Sequence, residues 1–190
     1  MIEILTPDKN IVTQWSGGQT NQLFIWPETA DFKSGDFQIR LSTATVEIEA
    51  STFTSLPDVD RTLIVLEGRM KLIHEGHHEK DLAPYNYDQF SGSWTTKSVG
   101  KCTDFNLMTK GKIKSEVEIL ELNSNEIMNI NLNGDHLYLY THNSALNIEY
   151  IGHHSIEKRS LVVIKNEDDI NEIVLGSNEP CQVIAIRIRF

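Results

Sequence analysis

Short runs of alternating apolar and polar residues cover most of the chain. FQIRLSTATVEI (37–48) and TDFNLMTK (103–110) alternate with a period of two, which is typical of β-strands with two unlike faces. LIVLEG (63–68) and RMKLIHEG (69–76) indicate the two strands of a hairpin. Gly, Pro, Asn and Asp separate the runs at close spacing, and helical periodicity is scarce. The pattern predicts an all-β protein made of antiparallel barrels or sandwiches.

The second half of the chain continues this pattern and contains a faint repeat of the first. LIVLEGRMKLIHEGHH (63–78) aligns without gaps on LYLYTHNSALNIEYIGHH (137–154) when their Gly-His-His motifs are paired. Few aligned positions are identical, so the repeat suggests duplication of a small barrel without proving it. The polar segment TKGKIKS (109–115) would join the halves, which predicts domains at residues 1–110 and 111–190.

Composition and charge narrow the class of protein. The chain has 190 residues, of which 39% are hydrophobic and 23% are charged, enough for a substantial core. Its net charge is −10 and its basic residues are scattered, which argues against direct nucleic-acid binding. No apolar run approaches the ~18 residues of a membrane span, and the N-terminal segment does not have the pattern of a signal peptide. Cys102 and Cys181 lie in apolar contexts, which indicates buried free thiols in a cytoplasmic protein.

Two strands carry hydrogen-bonding side chains two residues apart on one face. Arg40 and Ser42 share a face of the first strand, and Asp104 and Asn106 share a face of the second. If these faces line a concavity, the guanidinium and amide groups suit a carboxylate or another planar polar ligand. The alternative is a sheet face in contact with solvent.

The pair Asp60-Arg61 directly precedes the apolar run 63–66 and has three interpretations. Asp60 holds Arg61 for ligand contact, or it neutralises a buried structural arginine, or both side chains lie in solvent. Spacing alone favours the two structural interpretations. Trp15, before the Gly-Gly turn of WSGGQT (15–20), is either a core residue or an aromatic wall over a ligand.

Seven histidines raise the question of a metal site. HEGHHEK (74–80) lies where a turn is predicted, and adjacent histidines such as His77 and His78 point to opposite faces of a strand. The sequence therefore favours exposed turn histidines over a metal centre. No nucleophile motif or carboxylate pair marks a catalytic centre.

Several motifs in register resemble the HutD/Ves family over residues 11–110. They are W-S-G-G-x-T (15–20), F-x-I-R-L-S-x-A (37–44), F-x-x-x-P-x-x-D-R (53–61), L-I-V-L-E-G (63–68), L-x-P (82–84) and D-F-N-L-M (104–108). The resemblance implies a bicupin, that is, two small jelly-roll barrels in one chain. The residues matching the family's polar positions are Trp15, Thr20, Arg40, Ser42, Asp60, Arg61, Asp104 and Asn106.

The resemblance also implies a function, because members of this family have no assigned catalytic activity. Some accompany histidine-utilisation genes and are proposed to act as governors that bind urocanate or another small carboxylate. The cupin metal motif, Gly followed by His-x-His and Glu, is not found, so no metal or cofactor is expected. Our first hypothesis is a non-enzymatic binding protein for a small anionic metabolite, in which Arg61 is the principal ligand contact.

Two alternatives from other classes stay open on the sequence alone. One is a cupin enzyme, either metal-assisted or an isomerase, that uses the histidines. The other is a protein-interaction scaffold with a vestigial pocket. The β-rich composition is compatible with a homodimer that covers a sheet edge.

Overall fold

The computed structural model describes residues 1–166 and 171–190. These residues form nineteen β-strands and one short 3-10 helix, Pro7–Lys9. The strands assemble into four sheets in which the neighbours run antiparallel. Within the described ranges, no helix is long and apolar enough to cross a membrane. The all-β class predicted from the alternating pattern is confirmed.

The chain divides into two compact units. The first unit comprises residues 10–112, and the second comprises residues 1–9 together with 113–190. The division falls within the polar segment expected to join the domains. Residues 1–9 lie with the second half, not the first, because β1 (Ile2–Leu5) pairs with the strand Leu161–Lys165.

The first unit contains ten strands in two sheets. In chain order they are β2 (Ile11–Trp15), β3 (Gly18–Trp26), β4 (Ile39–Val46), β5 (Ala50–Thr52), β6 (Val59–Gly68), β7 (Met70–His74), β8 (Glu79–Leu82), β9 (Tyr87–Ser91), β10 (Thr96–Val99) and β11 (Cys102–Lys110). One sheet has the order β2-β3-β4-β11-β6-β9, and the other has the order β5-β10-β7-β8.

The predicted hairpin of β6 and β7 is wrong. β6 pairs with β9 and β11, whereas β7 pairs with β8 and β10 in the other sheet. The chain crosses between the sheets at Gly68, whose φ of +80° favours glycine. A Cβ atom there would lie 2.5 Å from the carbonyl oxygen of Lys101. The short spacing between the two runs therefore reflects a sheet-to-sheet crossing, not a hairpin turn.

The described residues of the second unit form nine strands, again in two sheets. Besides β1 they are β12 (Lys114–Leu122), β13 (Glu126–Asn131), β14 (His136–Thr141), β15 (Leu146–Glu149), β16 (His153–Ile156), β17 (Leu161–Lys165), β18 (Glu172–Ser177) and β19 (Cys181–Arg189). The sheet orders are β1-β17-β14-β19-β12 and β13-β18-β15-β16.

The two units share one strand topology. The orders β4-β11-β6-β9 and β5-β10-β7-β8 of the first unit recur as β12-β19-β14-β17 and β13-β18-β15-β16 in the second. β11 and β19 are both nine residues long, and each begins with a buried cysteine. This correspondence supports the duplication suggested by the sequence repeat.

The interiors of the two units differ in polarity. A continuous apolar cluster fills the second unit and includes Leu137, Leu139, Val183 and Ala185. The first unit has a smaller apolar cluster around Leu63. Beside that cluster it buries the charged or titratable side chains Arg40, Arg61, His74, Asp88 and Asp104, whereas the second unit buries Arg187, which is paired with Glu118, and His142. Charged groups are rarely buried without partners, so the first unit is where chemistry is expected.

The WSGGQT motif has a structural explanation at Gly18. Its φ is +149°, and a Cβ atom there would lie 1.8 Å from the carbonyl oxygen of Thr45. We expect Gly18→Ala to lower the free energy of unfolding by about 3 kcal/mol or more, because the backbone of β4 would have to move. Gly111→Ala is the matched control, since its φ is +75° with nothing within 4 Å, and should cost about 1–2 kcal/mol. Equal losses in urea denaturation would contradict this explanation.

Candidate functional site

One face of the larger sheet in the first unit brings polar side chains of three strands together. The register pairs Asn106 of β11 with Ser42 of β4, and Met108 with both Arg40 and Arg61. Side chains two residues apart share a face, so Asp104 joins the same row. Five predicted site residues therefore lie on a single face, and all five are buried: Arg40, Ser42, Arg61, Asp104 and Asn106.

Arg61 is held by one hydrogen bond and two aromatic rings. Its Nη2 donates to Asn106 Oδ1 at 3.2 Å. The guanidinium carbon lies 4.7 Å from the ring centre of Phe53 and 5.2 Å from that of Phe90. Its Nε is buried and donates to no acceptor among the described residues. A buried donor without a partner is costly and rare, which marks this atom as a point for ligand contact.

Arg40 is fixed by polar neighbours from two strands. Its Nε donates to Gln22 Oε1 at 3.0 Å, and its Nη1 donates to Ser42 Oγ at 3.0 Å. The guanidinium carbon lies 4.0 Å from the ring centre of Phe32. Both hydrogen-bond partners are uncharged, so no carboxylate neutralises Arg40 through these contacts.

Asp104 and Asn106 form a short relay beside Arg61. The Asn106 amide donates to Asp104 Oδ1, which orients the amide oxygen towards Arg61. The thiol of Cys102 donates to Asp104 Oδ2 at 3.9 Å. Burial raises the pKa of Asp104 to about 7, even though Arg61 and Asn106 act in the opposite direction. The carboxyl group therefore changes its charge close to neutral pH.

The electrostatic balance of this cluster is positive. Burial lowers the pKa of Arg40 and of Arg61 to about 10, so both guanidinium groups stay charged at neutral pH. The negative charge of Asp104 raises the pKa of Arg61 and so offsets part of the lowering by burial. Two positive groups thus share one carboxyl group that is only partly ionised near pH 7.

Three other predicted site residues lie apart from these contacts. Asp60 precedes Arg61 on β6, so it points to the opposite face, where it is exposed. The predicted role of Asp60 as the holder of Arg61 is replaced by the hydrogen bond from Arg61 to Asn106. Trp15 is 37% exposed at the β2–β3 turn, where its ring covers Gly17. Thr20 is half-buried on β3 and pairs with Ala44.

Sequence reasoning missed four residues that surround the arginines. Gln22 on β3 had a detectable signal, because it lies two residues beyond Thr20 on the same strand. Phe90 lies on β9, opposite Arg61 in the register. Phe32 and Phe53 come from loops, so no strand periodicity pointed to them.

A second polar cluster shows that the prediction of exposed turn histidines is wrong for His74, whereas His77 and His78 are exposed in the turn as predicted. His74 is buried at the end of β7, and its Nε2 lies 3.1 Å from Asp88 Oδ2. His78 Nε2 lies 2.8 Å from the same oxygen. Burial lowers the pKa of His74. Burial alone would raise the pKa of Asp88, but hydrogen bonds from His78 and His74 and the charge of Lys80 hold it below its usual range.

Among the described residues of the second unit, the positions that match Arg61, Asp104 and Asn106 carry apolar side chains. Pairing the Gly-His-His motifs, and aligning Cys102 with Cys181, gives matched positions in the two units. The matched pairs are Arg61 with Leu137, Asp104 with Val183, and Asn106 with Ala185. The fold therefore tolerates apolar residues at all three positions. The requirements of the fold do not explain why the first unit has polar residues there.

A groove of about 280 Å³ lies on the second unit, between β13, β15 and β18. Its lining includes Glu126, Glu149 and His153, and the last two form an ion pair at 2.5 Å when His153 is protonated. Carboxylates on its wall make it a poor site for an anion. The arginine cluster is therefore the better candidate for a small anionic ligand.

Comparison with known families identifies the group to which the chain belongs. The sequence profile of the HutD family matches residues 9–183. The chain belongs to the HutD family. No curated protein matches the sequence. The resemblance predicted from the motifs of the first half is confirmed over nearly the whole chain.

Solved structures similar to this HutD-family chain share its fold. PA5104 from Pseudomonas aeruginosa PAO1, described as a conserved protein of unknown function, has a TM-score of 0.86 at 20% identity, with 100% of both chains covered. HutD from Pseudomonas fluorescens SBW25 has a TM-score of 0.77 at 17% identity, also over 100% of both chains. The pirin YhhW from Escherichia coli, solved in complex with nickel(II), has a TM-score of 0.72 at 9% identity over 98% of both chains. These likenesses establish a cupin-like all-β fold.

Proposed function

We propose that this HutD-family protein is a non-enzymatic binding protein whose ligand is a small carboxylate held by Arg40 and Arg61. The observation that carries the proposal is the buried Nε of Arg61, which donates to no acceptor among the described residues. A carboxylate oxygen is the natural acceptor for this donor. Guanidinium groups also bind carboxylates through paired hydrogen bonds, which add geometric specificity.

Charge supports the same class of ligand. Two buried guanidinium groups are accompanied by one carboxyl group whose pKa is about 7. A buried charge without a full partner is unfavourable, and an incoming anion would compensate it. A neutral ligand would leave this excess positive charge uncompensated, and a cationic ligand would increase it.

The surroundings favour a flat ligand with hydrogen-bonding groups. Phe32 lies against Arg40, and Phe53 lies against Arg61. Ser42 and Asn106 add a hydroxyl and an amide at the same face. A planar acid such as urocanate, or a relative of it, matches these groups. Phe32 and Phe53 are only half-buried and belong to loops, so displacement of either ring would open a path to the arginines.

The architectural and cellular parts of the proposal rest on the family and on the duplication. We propose a bicupin in which the first barrel binds the ligand and the second is a structural partner. Membership of the HutD family supports a role as a cytoplasmic governor of histidine utilisation or a related pathway. A homodimer is part of this proposal, and its test is the oligomeric state in solution.

Titration with matched pairs of acids and neutral analogues tests the ligand class. Urocanate is compared with imidazole, and acetate with acetamide, by calorimetry and thermal unfolding. We expect saturable stabilisation by the acids alone, equal to about 2.7 kcal/mol at a hundredfold excess over Kd. Absence of binding by every acid, or equal effects of the neutral analogues, would contradict the proposal. Expression of histidine-degrading genes in cells lacking the protein, expected to rise, tests the regulatory role separately.

A further inference from the structure

The cluster of His74, His78 and Asp88 lies on elements separate from those that carry the arginines. His74 ends β7, His78 lies in the turn before β8, and Asp88 lies on β9. One ligating atom from each residue lies within 4.8 Å of the other two. Both histidine Nε2 atoms face a single oxygen, Asp88 Oδ2. Three donors of this kind, converging from three segments, form a site and not a chance surface pair.

We propose that His74, His78 and Asp88 bind a first-row divalent metal ion, with Zn²⁺ as the reference ion. Two imidazoles and a carboxylate are a known donor set for zinc, with solvent completing the coordination. Tetrahedral zinc with bonds of about 2.0–2.1 Å requires ligand atoms roughly 3.3 Å apart. The separations from Asp88 Oδ2 are 3.1 Å to His74 and 2.8 Å to His78, so small side-chain shifts suffice.

Neighbouring groups can hold the His74 imidazole and the Asp88 carboxylate in the tautomer and orientation that bind a metal ion. His74 Nδ1 lies 2.8 Å from Thr96 Oγ1, which in turn donates to the carbonyl oxygen of Trp94 at 3.4 Å. When Nδ1–H donates to this hydroxyl, the lone pair of Nε2 faces the ion. Asp88 Oδ1 accepts from the backbone N–H of Gln89 at 3.0 Å. The carboxylate is thereby oriented with Oδ2 towards the histidines.

The neighbouring cation and the route for solvent also fit the proposal. Lys80 Nζ lies 3.4 Å from Asp88 Oδ1, so it contacts the oxygen that faces away from the proposed ion. The side chain of His78 is 40% exposed, whereas that of His74 is fully buried. The ion would therefore lie at the edge of the interior, with its open coordination position towards water.

The second unit, which has the same strand topology, shows that the fold does not require these residues. Asp88 pairs with Leu63 in the register, and Val162 pairs with the matching Leu139 in the second unit. Pairing of the Gly-His-His motifs places His74 opposite Tyr150. An apolar residue is thus sufficient at the position of Asp88, so a purely structural role does not account for the acidic group.

Titration of the full chain with Zn²⁺ and Co²⁺ tests the proposal. The chain is first stripped with chelator. We expect one ion per chain, a visible Co²⁺ absorption band typical of nitrogen and oxygen ligands, and a higher unfolding temperature with Zn²⁺. Trp94 should report binding through fluorescence quenching by Co²⁺, because its ring centre lies 5.5 Å from that of His74 and 5.9 Å from that of His78.

Two conservative variants and one control decide the ligands. His78→Gln alters a partly exposed side chain, and Asp88→Asn keeps a hydrogen-bond acceptor, so both should fold. Each is expected to weaken Zn²⁺ binding by at least tenfold, whereas His153→Gln in the second unit should leave it unchanged. Failure of the unaltered chain to bind a stoichiometric ion would overturn the proposal. Equal affinity in both variants and the unaltered chain would overturn it as well.

Discussion

Arg61→Leu is expected to weaken carboxylate binding strongly without unfolding the first unit. Loss of one partner of a buried, hydrogen-bonded charge pair typically costs 2–5 kcal/mol of binding free energy, a loss of about 30-fold or more. Leucine occupies the matching position 137 of the second unit, where it is buried. Hydrophobic replacement of a buried charge is often neutral or stabilising. We therefore expect stability to change by no more than about 2 kcal/mol, including the lost donor to Asn106.

Arg187→Leu is the matched control for this experiment. Arg187 has the same exposure as Arg61, 8%, but it donates to Glu118 at 2.8 Å and to the carbonyl oxygen of Asn131 at 2.9 Å. Its removal should lower stability and leave carboxylate affinity unchanged. Calorimetric titration of both variants with the same acid gives the comparison. Undiminished binding by Arg61→Leu would show that the ligand, if bound, lies elsewhere.

The second large expected effect is a pH dependence of the free energy of unfolding, which originates at Asp104. Its pKa is raised to about 7 in the folded chain, against about 3.9 when unfolded. Between these values the folded state binds more protons than the unfolded state, so this group's contribution to stability falls as pH rises. The contribution is fully present below about pH 4 and is lost by about pH 7, with a total of about 4 kcal/mol.

Asp104→Asn should remove this dependence. As the pH rises from 4 to 8, the free energy of unfolding of the variant is expected to increase relative to that of the unaltered chain. Asp60→Asn, on an exposed side chain of the same sheet, controls for general charge effects. Urea denaturation at several pH values measures both. A pH-independent difference for Asp104→Asn would contradict the assignment.

The same ionisation should govern the ligand. Protonated Asp104 leaves the positive charge of the arginines uncompensated, whereas ionised Asp104 competes with an incoming anion. If the ligand binds only when Asp104 is protonated, its affinity is expected to fall about tenfold between pH 6 and pH 8. In Asp104→Asn the affinity should be flat across this range. A rise in affinity with pH would contradict the proposed link between ionisation of Asp104 and carboxylate binding.

Strand periodicity predicts much of the candidate site from the sequence, but it does not predict which strands are neighbours. Alternation by itself places Arg40 with Ser42 and Asp104 with Asn106. It also shows that Asp60 and Arg61 face opposite sides, although their adjacency in sequence suggests a pair. Cross-strand register then joins Arg61 to Asn106, and a single sequence does not specify that register.

The remaining differences come from long-range contacts. Phe32 and Phe53 reach the arginines from loops, whose paths depend on tertiary packing. The sequence predicts a turn at His74, yet this residue ends the strand β7, where it pairs with Thr96 of β10 and is buried. The alternating pattern predicted the all-β class, whereas the difference between the two interiors became visible only from the strand registers of both units.

The pairing of β1 with β17 has a consequence for the order in which the molecule is assembled. The amino group of Met1 donates to the carbonyl oxygen of Lys165, 164 residues later in the chain. During synthesis, residues 10–112 are complete well before β17 leaves the ribosome, so the unit that carries the arginine cluster is the one free to fold first. The strand β1 cannot pair until β17 has been made, so the sheet of the second unit is complete only when these two segments, which are far apart in the chain, come together.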